Sequence, residues 1–408
     1  MRYHYLDNIR WVTVLLVMFF HVFYYFNAYC MGSGIGGFSD YQPQDAVVYL
    51  LYPWLMPLLF VVAGMSSRYA LQRKSAGEYL RTRTRKLLVP ATLGLFVFQW
   101  MAGYFGMQTM NFRFHADLGA GQPWWVMYIM WAVCGGGGLW FIQLLWLFSL
   151  ITIPIHRIGS RLKRASDRTL PQWSVLVLML LFGALLYLSD QTVMDGDNSM
   201  QDPAMLYNVY RPLYYLTAYL FGYFFFVREE VQGLLVRLRW MIIPAALVCG
   251  IVLTITTFGQ DAYSPAYIRS VGNNLYAWLA ILAMFAAFHT WFNRDVSHIN
   301  NANYENTRGR DARVPSINGN NASPASRLLT FCRDASYGLY ILQFFVYMSI
   351  GYLLRAYTAL PPWAMYVLLF LAMFILTPAL YLLISRIPIL RYCVLGIKGS
   401  KTSNHVSK

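Results

Sequence analysis

The sequence predicts an all-α, polytopic membrane protein with about ten transmembrane helices and both termini in the cytoplasm. Three observations carry this. Of 408 residues, 58% are hydrophobic and only 12% are charged, about half the charge of an ordinary soluble domain. The apolar residues gather in runs of about twenty, the length that crosses a bilayer's hydrocarbon layer. Lys and Arg are unevenly placed: stretches 1–10, 68–86, 155–171, 228–239, 294–334 and 386–408 hold all but four of the 32, and the alternate loops hold only Arg113, Arg211, Arg269 and Arg355. Such asymmetry marks cytoplasmic loops. The formal charge of +15 is therefore a matter of topology and attraction to anionic lipid, and nucleic-acid binding is excluded.

The spans follow in order. Span 1 covers Ile9 to Ala28 and carries Asp7 and Arg10 at its head, which argues against a cleaved signal peptide. Span 2, about 46–66, is interrupted by Pro53 and Pro57; a distorted helix is expected, with neighbours satisfying its freed carbonyls. A basic loop, 68–86, leads to span 3 at about 87–105. A long non-basic loop, 106–138, holds Asn111, Arg113, His115 and Asp117, with a short apolar piece at 123–134 read as re-entrant or interfacial. Four glycines, 135–138, break it before span 4 at about 139–153. Spans 5 to 8 fall at about 172–189, 211–227, 240–257 and 275–292. The loop between spans 5 and 6 carries Asp190, Asp195, Asp197 and Asp202, an acidic rim on the side away from the basic loops. Residues 294–326 are polar and turn-rich and read as a flexible cytoplasmic insertion without a core. The Asn321-Ala322-Ser323 glycosylation pattern inside it is read as chance. Span 9, about 335–354, is expected to be capped by Asp334, and span 10 covers about 362–385. The chain is one integral-membrane domain, 1–408. Its five cysteines are scattered without ligand spacing, so neither a metal site nor a disulfide framework is indicated.

The chemistry is expected on span 1. Arg10 stands at its start and His21 deep inside it, eleven residues apart. Helix geometry returns them to within about 20° of one face, separated by roughly 16 Å along the axis, with Asp7 near the same stripe. An ionisable residue buried in a span is costly, and function is the default reading; a neutral histidine bridging two helices is the alternative. Imidazole, with a pKa near 7, suits a general base that takes a proton from a hydroxyl. Arg10 can bind donor phosphate, stabilise charge, or pair with Asp7. Arg83, Arg85 and Lys86 have the chemistry of a phosphate clamp, and equally that of ordinary positive-inside residues. Tyr340, Gln343 and Tyr347 share a face of span 9, lining a polar interior or gluing helices together. No Gly-x-Ser-x-Gly elbow accompanies the histidine, which favours direct attack over a covalent serine route.

These residues resemble integral-membrane acyltransferase family 3, especially its glucan-succinylating branch. Arg10 and His21 match the family's arginine, ten residues, histidine motif. MPLLFVVAGMSSRYAL at 56–71 is similar to the family's ending of span 2, Arg83 and Lys86 before Pro90 to its two-arginine motif, and LWFIQLL at 139–145 and SYGLYILQFF at 336–345 to later landmarks. Three positions depart from the pattern: Gly138 and Gln343 stand where histidines are common, and Lys86 replaces an arginine. The resemblance implies transfer of an acetyl or succinyl group from a cytoplasmic acyl-CoA-like thioester, a co-substrate rather than a resident cofactor. The acceptor is a hydroxyl of an envelope glycan or related molecule. It also implies an inner-membrane location among lipid partners. His21 and Arg10 are then the expected catalytic pair, Arg83, Arg85 and Lys86 the donor site, and Asp7, Tyr340 and Gln343 the substrate contacts. A transporter and a non-catalytic family member remain open as alternatives.

Overall fold

A computed structural model describes residues 4–27, 42–109, 121–161, 170–196, 203–293 and 324–398. The expectations for His115, Asp117, Asp197, Asp202 and the Asn321 pattern lie outside these residues. All regular structure among them is helical: α1 (His4–Phe26), α2 (Ala46–Leu71), α3 (Ala76–Arg83), α4 (Val89–Gly94), α5 (Trp100–Thr109), α6 (Trp124–Cys134), α7 (Trp140–Arg161), α8 (Gln172–Asp190), α9 (Pro203–Tyr210), α10 (Pro212–Phe221), α11 (Glu229–Thr257), α12 (Pro265–Arg269), α13 (Val271–Trp291), α14 (Pro324–Tyr357), α15 (Pro362–Arg386) and α16 (Pro388–Leu395). Among the described residues, nine helices are long and apolar enough to cross a membrane. The expected sixth span is the exception: α10 plus a π-helical turn, Gly222–Phe226, is shorter than the others. The chain is a multi-pass membrane protein.

Several boundaries differ from expectation for one physical reason: a helix continues past the bilayer, where its sequence stops being apolar. The basic stretch 68–86 is not a loop. Helix α2 runs through Leu71, and after a short turn α3 begins, its N-cap Ser75 accepting from the Glu78 N–H. Two π-helical turns, Thr84–Leu88 and Leu95–Gln99, join α3, α4 and α5 into one long rod. Asp334 does not cap span 9, because α14 starts ten residues earlier at Pro324; Asp334 accepts from Arg333 instead. Pro53 and Pro57 sit inside an unbroken α2. In the same turn the Leu50 carbonyl accepts from the side chains of Trp54 and of Tyr276 of α13 at 2.7 and 2.8 Å, which ties α2 to α13.

Helices α1, α2, α13 and α14 form the centre. Asn8 donates to the Phe292 carbonyl at 2.8 Å, tying the start of α1 to the end of α13. Gly64 and Gly222 let α2 and the α10 segment touch backbone to backbone, since a Cβ at either would meet a carbonyl oxygen, of Tyr219 or of Val61. This is the small-residue packing that membrane helices use where lipid supplies no hydrophobic drive. The same device pairs α5 with α6: a Cβ at Gly103 would strike the Trp131 carbonyl, and one at Gly135 the Gln99 carbonyl. The short apolar piece 123–134 is thus a helix antiparallel to α5. The four glycines then form a 3-10 turn into α7.

Candidate active site

His21 lies about three-quarters of the way along α1. Its Nδ1 is 2.8 Å from the Val17 carbonyl oxygen one turn back. A carbonyl only accepts, so Nδ1 carries the proton and Nε2 holds the lone pair. The ring stacks on Tyr347 of α14 with centroids 4.9 Å apart and planes at 15°. Phe20 and Tyr24 meet it edge-on at 5.4 and 5.8 Å. Gln343, one turn before Tyr347, also reaches the ring; its Oε1 is buried without a hydrogen-bond partner. Two of the three residues expected on one face of span 9 therefore join His21. Tyr340 does not: it packs edge-on against Phe141 of α7 at 5.4 Å.

Gly138, one of the departures, has a tertiary cause. Phe344 fills the space in front of it, so a Cβ at 138 would fall 2.5 Å from the Phe344 ring. Phe344 in turn meets Tyr347 edge-on at 5.1 Å and 89°. The four-glycine turn thus backs the stack that holds His21.

Arg10 sits three turns nearer the start of α1. It donates to Asp7 at 3.2 Å and to Ser66 of α2 at 2.8 Å, and its side chain stays 41% exposed. The next residue, Ser67, accepts from Arg83 at 2.9 Å and from Tyr79 at 3.0 Å. Two adjacent serines therefore anchor two arginines from different helices. Lys86 lies in the combined field of Arg83, Arg85, Arg10 and Lys74, and its carbonyl accepts from Tyr337 of α14. Gly396, with φ +63°, lies against the Arg85 carbonyl, where a Cβ would come within 2.5 Å. The structure brings Asp7, Arg10, Arg83, Arg85 and Lys86 to one end of the bundle. Ser66 and Ser67 were missed in the sequence, although they close the GMSSRY motif.

The opposite end carries a second polar centre that sequence reasoning also missed. Asp190, expected as an exposed rim acid, is fully buried; Asp195 alone of the rim acids described is exposed, paired with Arg269. Arg211, expected as a loop charge, is only 5% exposed and donates to Asp190 at 3.2 Å. It also donates to Tyr52 and Tyr215 at 3.2 and 2.9 Å. Its guanidinium lies over the rings of Tyr52, Tyr214 and Tyr215 at 5.0 to 5.5 Å. The signal was there: an acid closing one apolar run and an arginine opening the next.

No curated protein and no solved structure matches this chain. The family model described as an acyltransferase domain matches residues 3–382, which include the Arg10–His21 helix, the serine-anchored cations and the α14 face beside His21. The chain belongs to acyltransferase family 3 and is a membrane acyltransferase.

Proposed function

We infer that this acyltransferase moves an acetyl or succinyl group from a cytoplasmic acyl-CoA-like thioester to a hydroxyl of an envelope glycan or related acceptor. This is the activity of the glucan-modifying branch. The observation that carries the reading is the His21 tautomer: with Nδ1–H held by the Val17 carbonyl, Nε2 is the atom able to take a proton. The acceptor hydroxyl gives its proton to Nε2 while its oxygen attacks the thioester carbonyl. The tetrahedral intermediate then expels the thiolate, and the imidazolium returns the proton to sulfur. Gln343 and Tyr347 orient the ring. Arg10 and the Arg83, Arg85 and Lys86 group receive the donor's phosphates, guanidinium forks and ammonium being suited to phosphate oxygens. The basic loops support a reading in which this end faces the cytoplasm.

His21→Ala is expected to insert normally and to lose about 10²-fold in transfer rate, the scale of a lost general base. Unchanged turnover in the inserted variant removes His21 from the chemistry. Sealed proteoliposomes decide between transfer and transport, with donor only on the face bearing the termini and acceptor only on the other. Acylated acceptor without net movement of unmodified acceptor is expected. Product forming only when both substrates share a face overturns transfer across the membrane.

A further inference from the structure

The buried Arg211–Asp190 centre is used by none of these steps. A buried ion pair is a weak source of stability, because desolvation offsets its attraction, and an ionisable pair at the end of membrane helices points to function. Arg211 also adopts φ +33° and ψ +59°, a left-handed conformation that a non-glycine residue holds only under constraint.

The unbonded atoms say what the centre suits. Arg211 Nε and Asn274 Oδ1 are buried without hydrogen-bond partners. Asn274 of α13 lies against Asp190. One free donor and one free acceptor thus stand beside the ion pair, with no net charge. A sugar hydroxyl both donates and accepts and matches such a set. A phosphate or carboxylate would face Asp190 and an amide oxygen, all acceptors. The Tyr52, Tyr214 and Tyr215 rings around Arg211 add the flat, amphipathic surface that pairs an apolar face with a polar edge. A relay of rings links the centre to His21: Tyr52 meets Tyr263 at 4.5 Å, Tyr263 meets Tyr24 at 5.4 Å, and Tyr24 meets His21 at 5.8 Å.

We propose that Arg211, Asp190, Tyr52 and Asn274 form a binding subsite for a neutral polyhydroxylated ligand, a sugar unit held on the side of the bundle away from the basic end. That the sugar is the acceptor rests on the acyl-transfer reading; that the subsite binds it does not.

The test reads binding without turnover. Full-length protein in lipid nanodiscs is titrated with a neutral glucose tetrasaccharide and with the same tetrasaccharide bearing one glucuronate, using saturation-transfer NMR. Wild type is expected to bind the neutral probe at least tenfold more tightly. Tyr52→Phe and Asn274→Ala, which remove polar atoms and keep most of the packing, should each weaken it about tenfold in the folded protein, a loss larger than any fall in folded fraction read from the unfolding midpoint. Arg211→Lys should do the same. His21→Ala should still bind. Preference for the anionic probe, no binding of the neutral probe, binding untouched by the three substitutions, or equal loss of binding and folding in all three overturns the subsite. The two ideas fail separately. Saccharide binding that needs Tyr52 and Asn274 in a protein without transferase activity leaves the subsite and removes the reading. His21-dependent transfer with an unchanged acceptor KM in both variants does the reverse.

Discussion

The two arginine centres of this protein use opposite physics. At the basic end, Arg10 is half in solvent and its partners are a serine hydroxyl and a carboxylate that is itself 23% exposed. At the other end, Arg211 and Asp190 are both sealed, at 5% and 0% exposure. An exposed ion pair contributes about 0–1 kcal/mol, so the phosphate of the proposed donor would displace it at little cost. A buried pair is different: removing one partner strands a charge, at about 3–5 kcal/mol. The first ion pair suits exchange of partners; the second keeps its partner, and only its remaining polar atoms are open to a ligand. That contrast orders what substitutions should do.

The largest effect belongs to the sealed pair. Arg211→Met should lower unfolding stability by about 3–5 kcal/mol, and Asp190→Leu together with Arg211→Met should restore most of it, because apolar replacement of both partners removes the stranded charge. Denaturant titration of the three proteins measures this. Equal stability in the single and double variants would mean that Asp190 is not the partner that counts.

Next comes the glycine turn behind His21. Gly138→Ala drives a methyl into Phe344, and overpacking of this kind costs about 1–3 kcal/mol. The displaced ring presses on Tyr347, so kcat should fall several-fold with the donor KM unchanged. Gly138→Ala combined with Phe344→Leu should recover it. A pure stability loss with normal kcat would uncouple the turn from the His21 ring and its proposed role.

At the open end, neutralising Arg83 and Lys86 to Gln should raise the donor KM about tenfold, as expected from losing about 1.4 kcal/mol of charge-assisted contact, with little change for the acceptor. Steady-state kinetics with each substrate varied in turn separates this from a simple fall in membrane insertion.

How far the sequence reached follows the same divide. Spans were legible because the bilayer demands an apolar run of fixed length, and His21 stood out because little else justifies an imidazole there. What was hidden depends on contacts between distant residues. Nothing in the neighbourhood of Gly138 says that Phe344 occupies its space. Asp190 looks like a loop acid until Arg211 is seen against it. The helix through Arg81 and Arg83 was read as loop because it leaves the membrane and its apolar signal ends while its hydrogen bonds do not.

The smallest effect is the most informative about Arg10. Asp7 was expected to contact substrate, with a pair to Arg10 as another reading; the structure places it 3.2 Å from one guanidinium nitrogen of Arg10. If that carboxylate only holds Arg10 until a phosphate arrives, it competes with the donor. Asp7→Asn keeps the side chain's size and removes the charge. Stability should change by less than about 1 kcal/mol, since the pair is exposed. The donor KM should fall slightly, by a few-fold at low salt, and the difference should shrink as salt screens the site. Arg10→Lys should move the donor KM the other way, because it keeps the charge and loses the planar fork. In the Arg10→Lys background, Asp7→Asn should gain less than in the parent. A donor or acceptor KM that rises in Asp7→Asn, with Arg10 intact, would return Asp7 to the role of a direct substrate contact.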